Sequence, residues 1–361
     1  MQVSANRKRF IIKDLIYQDK YNELWEKFLT FARFVNNLNT KLIMLIQIAI
    51  LLAGLVLILM GANWLVDGSS SVARRFGISE FVIGLTIVGI GTSAPEMVVS
   101  FLSSFQGKSA MAVGNIVGSN IFNTLMILGA TALVAPVTIT KSNLRKDIPL
   151  NIMVTLLLII LGRSATMLGI GSSDTLNRLE GLLLLGIFAF YLWSSFKSGK
   201  EETEDAVNDN IKPAMSALMI IGGLAGLIIG GRLFVNSATQ IAQIAGLSEK
   251  FIAITIMAAG TSLPELATCV VAAAKGQGQL ALGNILGSNI SNILLILGGS
   301  ALINPLSFNG ISTLDLGVMA GSAILIFLTA ITFKKDKLDR AEGAIFLALQ
   351  IAYMTYLITS I

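Results

Sequence analysis

Histidine is absent from this 361-residue sequence, and Cys269 is its single cysteine. Those two absences exclude an intrachain disulfide, a zinc cluster and imidazole acid/base chemistry. Charge is scarce as well: Asp, Glu, Lys and Arg together make up 13% of the residues, about half the share in an ordinary soluble domain. Hydrophobic residues make up 54%, and a soluble fold cannot hide that much apolar surface. Any chemistry therefore falls to carboxylates, hydroxyls, amides and backbone. The net charge of +5 is modest. With basic residues flanking apolar runs, it suits the anionic headgroups of a lipid bilayer and leaves no basic domain for nucleic acid.

The apolar residues come in runs near the roughly 20 needed to cross a membrane, with charges confined to the gaps. Ten spans are expected, over 43–66, 78–106, 109–135, 148–170, 179–196, 214–236, 247–274, 277–304, 312–332 and 341–361. The expected fold is an all-α membrane protein with a polar, amphipathic segment 1–41, a five-helix repeat 42–196, a linker 197–213 and a second five-helix repeat 214–361. Residues 1–41 carry no signal-peptide pattern, because polar residues interrupt every apolar stretch before Leu42. Leu24, Phe28, Phe31, Val35 and Leu38 step by four and three, the spacing of an amphipathic helix lying at the membrane surface.

The repeat is legible directly. Residues 91–129 align without a gap on 260–298, GTSAPE over GTSLPE and GNIVGSNIFN over GNILGSNISN, so the chain contains a duplication. Gly77, Ser79, Glu80, Thr86 and Ile87 extend it upstream onto Gly246, Ser248, Glu249, Thr255 and Ile256. Five spans per repeat is an odd number, so the second half enters the membrane from the opposite side. This is the inverted plan of secondary transporters, with a binding site at the midplane. The linker, KSGKEETEDAVNDNIKP, is too short for a folded regulatory domain. Loops on its side of the membrane carry 13 Lys and Arg residues against five on the other, which predicts a cytoplasmic linker and both termini outside, in the plasma membrane. The eight basic residues of the tail pull the other way.

Intramembrane acids cost about 2.5–3.5 kcal/mol each on insertion scales and mark function. Of 21 acidic residues, only Glu96 and Glu265 fall deep within expected spans, and they are repeat partners. Thr92 and Ser93 lie four and three residues before Glu96, on the same helical face, as Thr261 and Ser262 do for Glu265. Pro95 and Pro264 withhold an N–H from the carbonyls of Gly91 and Gly260, which predicts a kink in each helix and free carbonyls. On the following helices Ser119 and Asn123 share a face, as do Ser288 and Asn292. The result is a set of oxygen donors without soft ligands, fit for a hard cation such as Na⁺ or Ca²⁺. Two carboxylates balance one Ca²⁺ or two Na⁺, and an empty site of charge −2 resists crossing a low-dielectric barrier, which favours exchange over leak.

At these residues the chain resembles the calcium/cation antiporter superfamily, whose signatures are two repeats containing GTS-x-PE and GN-x-x-GSN. The resemblance implies ten helices, alternating access by sliding of helices 1 and 6, and a four-position ion site. Carried over, it makes Glu96 and Glu265 the acids and Ser93, Ser262, Ser119 and Ser288 the hydroxyl ligands. The backbone carbonyl ligands it implies are those of Gly89, Thr92, Ala258 and Thr261, with Asn123 and Asn292 at the remaining polar positions. Resemblance to the sodium/calcium branch further implies three Na⁺ per Ca²⁺.

Proton/calcium exchangers of the superfamily carry a glutamate where this chain has Gly118 and Gly287, and potassium-dependent exchangers an Asp where it has Asn292. The expected activity is Na⁺/Ca²⁺ antiport. Proton-coupled or potassium-dependent exchange, and a cation channel, stand as alternatives. An intramembrane hydrolase lacks a base for Ser93 or Ser119. No cofactor and no protein partner are implied beyond the bilayer and the transported Ca²⁺ and Na⁺.

Overall fold

A computed structural model describes residues 2–169, 173–198, 211–247, 258–332 and 337–359. Most of the expected linker, 199–210, and the start of the seventh expected span, 248–257, lie outside these residues.

The first half comprises α1 (Gln2–Phe76), α2 (Glu80–Thr92), α3 (Ala94–Phe105), α4 (Ser109–Val134), α5 (Ile148–Gly162), α6 (Ser164–Leu168) and α7 (Arg178–Ser198). The second half comprises α8 (Pro213–Ile244), α9 (Ala258–Gly260), α10 (Leu263–Ala274), α11 (Gly278–Ile303), α12 (Thr313–Thr332) and α13 (Arg340–Thr359). Among the described residues seven helices are long and apolar enough to cross a membrane, and the bent pair α2 and α3 makes an eighth. The chain is a multi-pass membrane protein.

Two of the ten expected spans are represented by shorter helices, α5 with 15 residues and α10 with 12. The span expected over 148–170 stops at Gly162. There Arg163 leaves the helix to donate to the Asp174 carboxylate at 3.2 Å and to the carbonyl of Ile311. Hydrogen bonds from the hydroxyl and the N–H of Thr166 hold the Asp174 carboxyl below the usual carboxylate range, so a charged, hydrogen-bonded cluster closes the end of the helix. At the other end of the chain, α1 passes position 41 without a break, because no proline or glycine stands between Gln2 and Gly54 to interrupt it.

Helices α1 and α8 meet along a ladder of small residues. A Cβ on Gly54 would lie 2.9 Å from the carbonyl oxygen of Gly230, one on Gly61 2.7 Å from that of Gly223, and one on Gly68 2.9 Å from that of Ser216. The rungs advance by seven residues on α1 and recede by seven on α8, so the two helices run antiparallel in backbone contact. The hydroxyls of Ser71 and Ser216 share a hydrogen bond of 2.7 Å at the end of the ladder. Without a hydrophobic force between helices in lipid, this close van der Waals approach is what holds such a pair.

The innermost helices are α4 and α11, 72% and 94% buried over their apolar windows against 11% for α1. Each contains a π-helical turn at the same place in its half, Asn123–Ile127 and Asn292–Leu297. The likeness of the halves also reaches helices where the residue match is faint. Glu180 accepts from the backbone N–H of Asn177, and Glu342 from that of Asp339, each at 2.7 Å. Short strands cross between the halves: β1 (Val137–Thr138) pairs antiparallel with β4 (Lys337–Leu338), and β2 (Thr175–Leu176) with β3 (Leu306–Ser307).

Helix α11 packs so closely on α2 that a Cβ on Gly287 would lie 2.3 Å from the carbonyl oxygen of Leu85. Backbone must move to admit it. Gly287→Ala should therefore destabilise the protein by about 1–3 kcal/mol, the usual cost of overpacking. Gly186→Ala, on an exposed face with open space around it, should leave stability within about 0.5 kcal/mol. Thermal unfolding in detergent compares the two, and equal stability of both variants would show that the contact is not a tight one.

Candidate cation site

Each half breaks a helix at the same serine. Helix α2 ends at Thr92, Ser93 takes φ −79° and ψ 9°, and α3 restarts at Ala94 with Pro95 in its first turn. The axis bends by 49° there. In the second half Ser262 takes φ −93° and ψ 9°, and α10 starts at Leu263 with Pro264 in its first turn. The kinks expected from the two prolines are present, and they have one consequence for charge. Glu96 and Glu265 each stand in the first turn of a new helix, where unpaired N–H groups and the helix dipole favour a negative group.

The two breaks are tied to each other crosswise. Ser93 Oγ donates to Glu265 Oε1 at 2.9 Å, and Ser262 Oγ donates to Glu96 Oε1 at 3.1 Å. Both carboxylates are 1% exposed. Each spends one oxygen on the opposite serine, and the other oxygen, Oε2, has no hydrogen-bond partner among the described residues. The side-chain oxygens of Asn123 and Asn292 are buried and unpartnered in the same way. Four acceptor atoms, two from each half, are thus left without donors.

An ionised buried carboxylate carries a desolvation penalty of several kcal/mol, and a single hydrogen bond to a charged group returns about 1.5–3 kcal/mol. One serine per glutamate leaves a deficit that a cation can offset. The donor set is all oxygen, with two formal charges, and suits a hard ion.

The other expected residues distribute as follows. Ser288 Oγ donates to the carbonyl oxygen of Gly89 at 3.1 Å, which draws two of the implied ligands together. Thr92 is fully buried, but its hydroxyl turns to Asn284 Oδ1 at 3.2 Å. Ser119 is buried on α4 one turn before Asn123, and Thr261 is half-buried beside Ser262. Ala258 opens the short helix α9.

Behind the glutamates lies an asparagine lattice that the sequence reading did not single out. Asn123 Nδ2 donates to Asn289 Oδ1 at 3.2 Å, and Asn292 Nδ2 donates to Asn120 Oδ1 at 3.0 Å. Asn120 Nδ2 also reaches the Asn289 carbonyl at 3.1 Å, and Asn289 Nδ2 the Thr124 hydroxyl at 3.0 Å. These bonds join α4 to α11 and orient the Asn123 and Asn292 amides so that their oxygens stay free. Asn115 Nδ2 supports α3, donating to the Glu96 carbonyl at 3.3 Å and to Ser100 Oγ at 3.0 Å. The signal was available, since Asn115, Asn120, Asn284 and Asn289 are the remaining asparagines of the two GN-x-x-GSN motifs. A cavity of about 230 Å³ borders both kinks, lined by Pro95, Gly260, Thr261, Pro264, Arg232 and Asn236 among others.

Comparison with known proteins places the whole chain in one family. The family model described as sodium/calcium exchanger protein matches residues 46–197 and 215–359. The sodium/calcium exchanger MaX1 of Methanosarcina acetivorans is 33% identical over 348 residues, covering 86% of this chain and 98% of that protein. The inner membrane protein YrbG of Escherichia coli is 37% identical over 273 residues, covering 73% of this chain and 81% of its own. Among solved structures, the sodium-calcium exchanger NCX_Mj soaked with 10 mM Na⁺ and no Ca²⁺ superposes with a TM-score of 0.75 at 34% identity, covering 87% of this chain and 99% of that one. The chain belongs to the sodium/calcium exchanger protein family.

Proposed function

We propose that the protein exchanges Ca²⁺ for Na⁺ by alternating access through one shared site built on Glu96 and Glu265. The observation that carries this reading is the set of four buried oxygens left without donors, Glu96 Oε2, Glu265 Oε2, Asn123 Oδ1 and Asn292 Oδ1. Ser93, Ser262, Ser119 and Ser288, with the carbonyls of Gly89, Thr92, Ala258 and Thr261, complete the proposed coordination. The names of MaX1 and NCX_Mj, both sodium/calcium exchangers, support Na⁺ and Ca²⁺ as the pair. The scaffold is ten spans in two inverted repeats. The antiparallel contact of α1 with α8, which are repeat counterparts, supports the inversion, as does the reciprocal exchange of strands between halves. The linker faces the cytoplasm and both termini lie outside.

The division of labour follows from charge. Two Na⁺ or one Ca²⁺ neutralise the glutamates, so ion loading removes the double negative charge that keeps the empty site from crossing. Glu96→Gln and Glu265→Gln keep side-chain volume and remove one of the two charges. Each should reduce Na⁺-driven ⁴⁵Ca²⁺ uptake in vesicles to background while the protein remains monodisperse. Near-normal uptake by either variant would refute the shared site.

Sodium is the driving ion in this reading. Uptake should require an opposing Na⁺ gradient and persist when the proton gradient is collapsed; uptake that tracks pH and ignores Na⁺ would install proton coupling instead.

Neutral oxygens around the carboxylates leave room for a third Na⁺, so the proposed stoichiometry is three Na⁺ per Ca²⁺, with one net charge moved per cycle. One charge across 100 mV is worth about 2.3 kcal/mol, which converts to a roughly 50-fold shift in the equilibrium Ca²⁺ ratio. An inside-positive potential on Na⁺-loaded vesicles should therefore accelerate Ca²⁺ entry, because that direction expels the net positive charge. A Ca²⁺ ratio indifferent to voltage would mean two-for-one exchange.

A further inference from the structure

The two halves each contain a groove between their fourth and fifth helices, and the grooves differ in chemistry. The first, about 330 Å³, lies where α5, the segment 140–147 before it and α7 meet the start of α2 and Gln279 of α11. The second, about 500 Å³, lies between α12 and α13. They correspond at several positions: Leu150, Ile187 and Tyr191 in the first match Val318, Leu349 and Tyr353 in the second. An Asp–Tyr pair marks both, with Tyr191 donating to Asp147 at 3.4 Å and Tyr353 to Asp315 at 2.8 Å.

At three further positions they diverge. Lys146, Met153 and Ser194 of the first groove are replaced by Leu314, Gly321 and Tyr356 in the second. The second groove is lined almost wholly by apolar groups. The first has a buried carboxylate at its base, two basic residues at its rim and hydroxyls between them. Asp147 is 8% exposed and lines the groove. Its carboxylate accepts from Asn143 Nδ2 at 3.3 Å and from Tyr191 over the long distance given above. An ionised carboxylate offers about four acceptor positions, so room remains for further donors. Arg145 and Lys146 are exposed at the rim, and the Lys146 charge also acts on the neighbouring Asp147. The groove opens sideways to lipid past Met153 and Phe190, 58% and 65% exposed. Ser194 and Ser195 place it at the end of α7 that leads into the linker.

Negative base, positive rim and apolar side walls are the complement of an amphiphile whose head carries both signs. We propose that this groove binds a phospholipid bearing a primary ammonium, its phosphate held by Arg145 and Lys146 and its ammonium by Asp147. Arginine suits a phosphate through paired N–H donors, and a primary ammonium brings three N–H donors to a carboxylate. A trimethylammonium head has none of those donors, and a purely anionic head would face the Asp147 charge. The acyl chains run along Leu150, Met153 and Phe190. Basic pockets between membrane helices are known sites for lipid heads, and the volume is within the range of small-molecule sites.

Native mass spectrometry of the intact protein, incubated with equal amounts of phosphatidylethanolamine, phosphatidylcholine and phosphatidylglycerol of matched chains, tests this. The wild type should retain the ethanolamine lipid about tenfold over the choline lipid. Asp147→Asn should bring that ratio to about one, and Arg145→Gln with Lys146→Gln should reduce all three adducts. Gly321→Phe, which fills the second groove, should leave the preference intact. Ser194→Tyr gives the first groove the residue of the second and should remove the preference even if Asp147→Asn does not fold. Equal retention of the ethanolamine and choline lipids by wild type would overturn the proposal. So would stronger retention of phosphatidylglycerol, or a preference that survives both Asp147→Asn and Ser194→Tyr.

Discussion

Two carboxylates buried in an apolar protein are the constraint on which the rest of this structure depends. Their desolvation must be offset, and the chain does so only halfway: Ser93 reaches across to Glu265 and Ser262 reaches across to Glu96, leaving one oxygen of each acid unmatched. Complete satisfaction would make the site inert. In the proposed exchange, more donors would leave the glutamates content without an ion, and fewer would leave the pair unsupported between ions. The crossed geometry ties the two halves together, because each acid is held by the opposite half's helix break.

Everything around this pair serves to fix its position. The prolines open the helices at Ser93 and Ser262 so that the acids start new helices instead of facing a continuous backbone. The lattice of Asn120, Asn123, Asn289 and Asn292 clamps α4 to α11 and aims two amide oxygens into unpaired positions. Outside this core, α1 and α8 come into close backbone contact at their glycines. In the proposed alternating access, this pair is the sliding element.

Much of this was legible in the sequence because duplication prints its signal twice. A Ser-x-Pro-Glu kink or a Gly/Ser face is common in membrane helices when it occurs once, but at Glu96 and Glu265 the second copy removes the coincidence. The asparagines behind the site were in plain view yet unread, since Asn115 and Asn120 in a glycine-rich stretch look like helix-packing polar residues until their partners are known. Span limits were the weakest part of the reading. Hydropathy carried the fourth span past Gly162 because it does not register that Arg163 is bound to Asp174 and Ile311 from elsewhere in the fold. It likewise suggested an amphipathic segment separate from the first span, where α1 continues unbroken. The likeness of the fourth and fifth helices across the halves, carried by Asp147 with Tyr191 and Asp315 with Tyr353, emerges only from contacts.

In the proposed exchange one pair of acids serves both ions in turn. Equilibrium ⁴⁵Ca²⁺ binding to the purified protein, titrated with Na⁺ at constant ionic strength, tests it most directly. One Ca²⁺ per chain should bind and be displaced completely and cooperatively by Na⁺, with no measurable binding when Glu96 or Glu265 is neutralised. Bound Ca²⁺ that stays in place at saturating Na⁺ would contradict it, because the two ions would then occupy separate sites.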